Sequence, residues 1–114
     1  MSETTHEKYR PFNDDELLRQ IGRMNIFAIS GGRVIVWRTN DGTATRTVTL
    51  PVSNGYYVEI YLAWDDTWTV SRLFKRKGEY LNKGTLSGIY PENIGEVAYK
   101  ASCFRNVEFG EVAA

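Results

Sequence analysis

Between Tyr56 and Arg76 the side chains alternate through two runs, broken only by Asp65-Asp66-Thr67. That period of two constrains the fold more than any other feature, because successive side chains of a strand point to opposite faces of a sheet. Tyr56, Val58, Ile60, Leu62 and Trp64 share one face; Tyr57, Glu59, Tyr61 and Ala63 share the other. Trp68, Val70, Arg72 and Phe74 likewise alternate against Thr69, Ser71 and Leu73. A hairpin with one apolar face must bury that face under a second layer.

The covering elements are sought at the two ends. Asn13 precedes Asp14, Asp15 and Glu16, a capping residue followed by three acids suited to the positive end of a helix dipole. Leu17, Leu18 and Ile21 give that short helix an apolar face, and Gly22 supplies its stop. Pro91 suits the first turn of a second helix, since its missing N–H costs nothing there. Ile94, Val97, Ala98, Ala101 and Phe104 then recur at steps of three and four, with Glu96 and Lys100 as a favourable pair on the polar side.

Turn signals divide the stretch between the helices. Gly31-Gly32, Asn40-Asp41-Gly42, Asn54-Gly55, Asp65-Asp66-Thr67 and Lys77-Gly78 separate runs rich in Val, Ile, Thr and aromatic residues. Ile26–Ile29 reads as the first of these strands, Val34–Arg38 as the second and Thr43–Leu50 as the third. The expected architecture is α+β: an antiparallel meander of about six strands, with a short N-terminal helix and a C-terminal helix packed on the sheet. Residues 12–107 form a single domain in this reading, between a flexible tail at 1–11 and another at 108–114. The length of 114 residues and an apolar content of 42% are enough for one core of that kind.

Charge and chemistry-bearing residues narrow the function. Formal net charge is zero, so no global field draws the chain to nucleic acid or a membrane surface. No apolar run is long enough to span a bilayer. The only histidine, His6, lies in the expected tail, and the only cysteine, Cys103, cannot form an intrachain disulfide. One of each leaves the usual zinc ligand sets unfilled. Asp14–Glu16 and Asp65-Asp66 are read as a helix cap and a turn before they are read as metal or acid–base groups. Ser30-Gly31-Gly32-Arg33 is glycine-rich, but a phosphate cradle must open a helix, and here a strand follows. No catalytic, metal or cofactor residue is assigned.

What the charges do show is a local pattern. Residues 51–71 are net −3 and residues 72–90 net +4. A basic β-ribbon with interleaved aromatics, Arg72 to Lys83, can neutralise phosphates and stack on bases. A solvated hairpin accounts for the same residues and fits the zero net charge better.

Three stretches carry a resemblance. They are Asn25-Ile-Phe-Ala-Ile-Ser-Gly-Gly-Arg-Val34; Thr49-Leu-Pro-Val-Ser-Asn-Gly-Tyr-Tyr-Val58 with Asp66–Val70; and Gly88-Ile-Tyr with Gly95-Glu-Val-Ala-Tyr-Lys-Ala-Ser-Cys-Phe104. Together they resemble a family of small uncharacterised proteins encoded by bacteriophages and prophages, notably of actinobacteria. The resemblance covers about residues 13–110 and implies action inside a bacterial host, in its cytoplasm. The segment Trp37–Arg46 looks longer here than that pattern. The resemblance carries over no activity and no functional residue.

The expected function is therefore a small non-enzymatic protein-interaction module, a phage accessory protein acting on a host or phage macromolecule or on a second copy of itself. Tyr and Trp are favoured in binding hot spots, so the expected partner surface is Tyr57, Tyr61, Trp64, Asp65, Asp66, Trp68, Arg72, Lys75, Arg76 and Lys77. Nucleic-acid binding through the hairpin 72–83 is the alternative. A small enzyme relying on carboxylates is the second.

Overall fold

The computed structural model describes residues 10–103; the expected tail at 108–114 and all but the end of the one at 1–11 lie outside them. Two helices come first, α1 (Asp14–Ile21) and α2 (Arg23–Ser30). Five strands follow: β1 (Ile35–Arg38), β2 (Thr45–Pro51), β3 (Tyr56–Leu62), β4 (Trp68–Arg76) and β5 (Glu79–Ile89). A single 3-10 turn at Pro91–Asn93 leads into α3 (Ile94–Ser102). The strands form one antiparallel sheet in the order β1-β2-β3-β4-β5, so each pairs with the next in the chain. The expected α+β meander is present with five strands, not six. No described helix is long and apolar enough to cross a membrane.

The missing strand is α2. Ile26–Ile29 is too short an apolar run for periodicity to separate strand from helix. In the structure Gly22, at φ +96°, ends α1 and starts α2 without an intervening loop. Its carbonyl accepts the Ile26 N–H at 3.0 Å. Ile29 and Ser30 turn inward and Phe27 and Ala28 outward, a helical division. Gly31-Gly32 does need positive φ, as the sequence implies, but to end a helix. Gly31 is the left-handed cap of α2, its N–H bound to the Phe27 carbonyl at 2.8 Å.

One face of the sheet carries the core. Val48, Ile60 and Val70 lie in register across β2, β3 and β4, with Leu50 and Val58 beside them. All five are fully buried against Leu17, Ile21, Ile29, Ile94, Ala98 and Ala101 of the helices. Trp68 closes one end: its ring meets Phe12 edge-on at 5.0 Å, and its Nε1–H donates to Gln20 Oε1 at 3.0 Å. The first helix forms as its sequence implies, with Asn13 Oδ1 accepting the Asp15 N–H at 2.8 Å. Asp14 Oδ1 ties its start to the sheet, accepting from Thr45 Oγ1 at 2.9 Å and Arg38 Nη1 at 3.2 Å. Arg10 is also held to the sheet, its N–H donating to the Leu62 carbonyl at 2.9 Å.

Candidate functional site

A sheet covered on one face leaves the other open, and register fixes what that face presents. Ile35, Thr49, Glu59, Ser71 and Thr85 form one cross-strand row; next to it Trp37 pairs with Thr47, and Tyr61 with Thr69. Tyr57, Leu73 and Asn82 make a third row, and Lys75 faces Tyr80 beyond it. Thr47, Thr49, Thr69 and Ser71 are buried although no described helix lies over them. They are short, and taller neighbours shade them: Trp37 reaches over β2 and donates its Nε1–H to Thr49 Oγ1 at 3.0 Å. Ser71 and Thr85 share a hydroxyl hydrogen bond of 2.9 Å. The result is a hydroxyl floor under a rim of aromatic rings, with a groove of about 220 Å³ lined by Trp37, Thr49, Glu59, Leu73 and Tyr80.

The ten residues expected to meet a partner do not form one site. Tyr57 and Tyr61 stand on the open face, half-buried. Tyr57 meets the Tyr80 ring edge-on at 5.4 Å, and Lys75 Nζ sits 5.4 Å from the same ring. Arg76 and Lys77 are exposed at the tip of the β4–β5 hairpin. Trp64, read as a core position, lies past the end of β3 and is 61% exposed. Trp68 and Arg72 are internal. The Arg72 side chain, 4% exposed, faces the helix layer and donates to the last carbonyls of α3: Nε to Ala101 at 2.8 Å, Nη2 to Cys103 at 3.1 Å and to Lys100 at 3.2 Å. Burial lowers its pKa. The basic hairpin thus presents Lys75, Arg76, Lys77 and Lys83 but not Arg72.

Asp65 and Asp66 build the β3–β4 turn. Asp65 Oδ1 accepts from Thr67 Oγ1 at 2.6 Å and Thr67 N at 3.1 Å, and Asp66, at φ +70°, pairs with Arg10. The hydrogen bonds from the Thr67 hydroxyl and then its N–H lower the Asp65 pKa. Asp41 plays the same part in the β1–β2 turn, lowered by Thr39 Oγ1 and then by Thr43. A folded-state pKa below the unfolded one adds stability that is present above the unfolded value, about 3.9, and is lost as pH falls through the folded value. Acid unfolding of Asp65→Asn should therefore show a shallower stability loss below about pH 4 than the parent. Identical acid limbs in urea titrations would refute the turn's share.

Among the described residues the sheet has two edges, β1 and β5, and both are largely exposed. β1 pairs only with β2 among the described residues. Ile35 and Trp37 of β1 are exposed on the open-face side, while Val34 and Val36 turn towards the helices, half-buried. On the helix side α2 presents Phe27, 69% exposed, and Met24, 84% exposed. Between them a groove of about 430 Å³ is lined by Leu18, Ile26, Phe27 and Val34 and rimmed by Arg19 and Arg23. Reading Ile26–Ile29 as a strand hid this surface. The signal that could have found it is compositional: residues 17–40 hold Arg19, Arg23, Arg33 and Arg38 and not one Asp or Glu.

Among the described residues no group of three or more His, Cys, Asp or Glu side chains could hold a metal ion. Cys103 is a free, half-buried thiol beside the end of α3. No family model matches the chain, and no curated protein and no solved structure matches it either.

Proposed function

We propose that this chain is a non-enzymatic protein-interaction module, and that an extended segment of a partner protein binds it by adding as a sixth strand along β1. The supporting observation is the β1 edge, unpaired on its outer side among the described residues and flanked by apolar side chains above and below the sheet. An edge strand offers a row of backbone donors and acceptors, and strand addition uses them for affinity and the flanking pockets for specificity. Proteins that keep an edge unpaired shorten it or place charges or Pro on it; β1, Ile-Val-Trp-Arg, is short and has no Pro, and its one charge, Arg38, stands at its end. The resemblance to phage-encoded proteins makes a host or phage protein the natural partner.

Capture from a bacterial host lysate tests this with two variants that change only exposed residues. One is Ile35→Gln/Trp37→Gln at the edge, which removes the apolar flank without changing charge; the other is Lys75→Glu/Arg76→Glu/Lys77→Glu at the hairpin. The wild type and the hairpin variant should retain the same protein with or without nuclease. Recovery by the edge variant should fall by about tenfold or more, the effect of losing roughly 1.4 kcal/mol of binding. Equal recovery by the edge variant would refute the assignment. Loss on nuclease treatment together with loss in the hairpin variant would move the function to nucleic-acid binding.

A further inference from the structure

We infer that the segment β1 accepts is acidic: an extended strand with apolar side chains at alternate positions and carboxylates at its flanks. This rests on the strand-addition reading and specifies its partner. A strand laid along β1 turns every second side chain towards the helix layer. There the groove lined by Leu18, Ile26, Phe27 and Val34 takes apolar side chains. The charges around it are of one sign. Arg19 and Arg23 rim that groove and Arg33 immediately precedes Val34; all three are exposed. Among the described residues no carboxylate lies within ion-pair distance of any of them, whereas Arg38 at the far end of β1 is matched by Asp14 at 3.2 Å.

The same charges argue against a second copy of this chain as the occupant. Pairing β1 with β1 of another molecule would bring two sets of arginines together from a stretch, residues 17–40, that holds no Asp or Glu to offset them. Like charges juxtaposed at an interface suppress that pairing, and opposite charges raise the association rate. Exposed ion pairs are individually weak, each worth a factor of about five or less, so the acidic flanks set selectivity while the backbone ladder and the groove supply the bulk of the binding.

Three synthetic strand peptides with one alternating Val-Thr centre and two flanking residues at each end (Glu, Gln or Lys) separate the possibilities. Fluorescence anisotropy gives affinity, and hydrogen exchange of the Ile35–Arg38 amides reports where each peptide sits. The Glu peptide should bind about tenfold more tightly than the Gln peptide at low salt, with the Lys peptide weaker still. The Glu advantage should shrink as ionic strength rises. In Arg19→Gln/Arg23→Gln the advantage should largely disappear while β1 protection by the Gln peptide persists. Equal binding of all three peptides with β1 protected would overturn the acidic partner and leave strand addition standing. Absence of β1 protection with every peptide would overturn strand addition itself. Sedimentation as a dimer, with β1 protected in the absence of peptide, would make a second copy the occupant and overturn the inference.

Discussion

Arg72→Ala should destabilise the fold by about 3–5 kcal/mol, the scale of two buried carbonyls each losing a charged donor at about 1.5–3 kcal/mol. A helix ends with carbonyls that no residue within it can satisfy, and they form the negative pole of its dipole. In α3 the carbonyls of Lys100, Ala101 and Cys103 receive the Arg72 guanidinium. Alanine takes these donors from the Ala101 and Cys103 carbonyls, while the Lys100 carbonyl keeps the Cys103 N–H at 3.1 Å. A domain of this size is stable by roughly 5–15 kcal/mol, so the change should bring the urea midpoint down steeply. Arg72→Met keeps the apolar stem and isolates the loss of the hydrogen bonds. Arg72→Lys should fall between Met and the parent, because one ammonium cannot span the three carbonyls that the planar fork reaches. A loss below about 1 kcal/mol for Arg72→Ala, the scale of an exposed pair, would refute the structural role. Any fall in nucleic-acid affinity on replacing Arg72 would report unfolding, so the hairpin alternative must be tested at Lys75, Arg76 and Lys77.

Gly95→Ala should cost about 3 kcal/mol, although alanine in place of glycine normally stabilises a helix by about 1 kcal/mol. The reversal comes from how closely α3 approaches the junction of α1 and α2. A Cβ on residue 95 would lie 2.6 Å from the Ile21 carbonyl oxygen and 2.7 Å from Asn25 Nδ2. Those two atoms are hydrogen-bonded to each other at 2.9 Å, so neither is a loose side-chain end that can step aside. The helices must separate, and Ile94 and Ala98, both fully buried, must move with them. For a domain of about 100 residues, 3 kcal/mol lowers Tm by roughly 12–24 °C. Adding Asn25→Ala should recover only part of the loss, because the backbone contact to Ile21 remains. A Gly95→Ala protein with the parental Tm would show that α3 does not dock so closely.

Much of this fold was legible because period and punctuation agree. Tyr56–Leu62 and Trp68–Arg76 alternate without a break, and the turn between them is marked by Asp65-Asp66-Thr67. Pro91 and the Ile94, Ala98, Ala101 face specify α3 in the same way, and Asn13 caps α1 as its position implies. Ile26–Ile29 was not legible, since four apolar residues satisfy either period and glycines with positive φ serve helix ends as well as hairpins. For the site, alternation placed Tyr57 and Tyr61 on the open face. The same alternation put Arg72 in the core row with Val70 and Phe74, a signal that outweighs its membership of a basic cluster. The β1 edge could not be read, because a meander beginning with Ile26–Ile29 places that segment, and not Ile35–Arg38, at the end of the sheet.

The agreement between strand order and chain order has a kinetic consequence. Each of the four strand pairings is a closure between neighbours in sequence, which carries a small entropic cost. The contacts of α3 with α1 and α2 are different, since they join the two ends of the described chain. Chains dominated by local contacts fold fast, and here the docking of the helices on the sheet adds distant contacts to the local ones. On a growing chain the sheet can form early, yet the face bearing Val58, Ile60 and Val70 stays partly bare until α3 has been synthesised. The synthesis of α3 therefore sets when a newborn molecule stops being prone to stick to its neighbours.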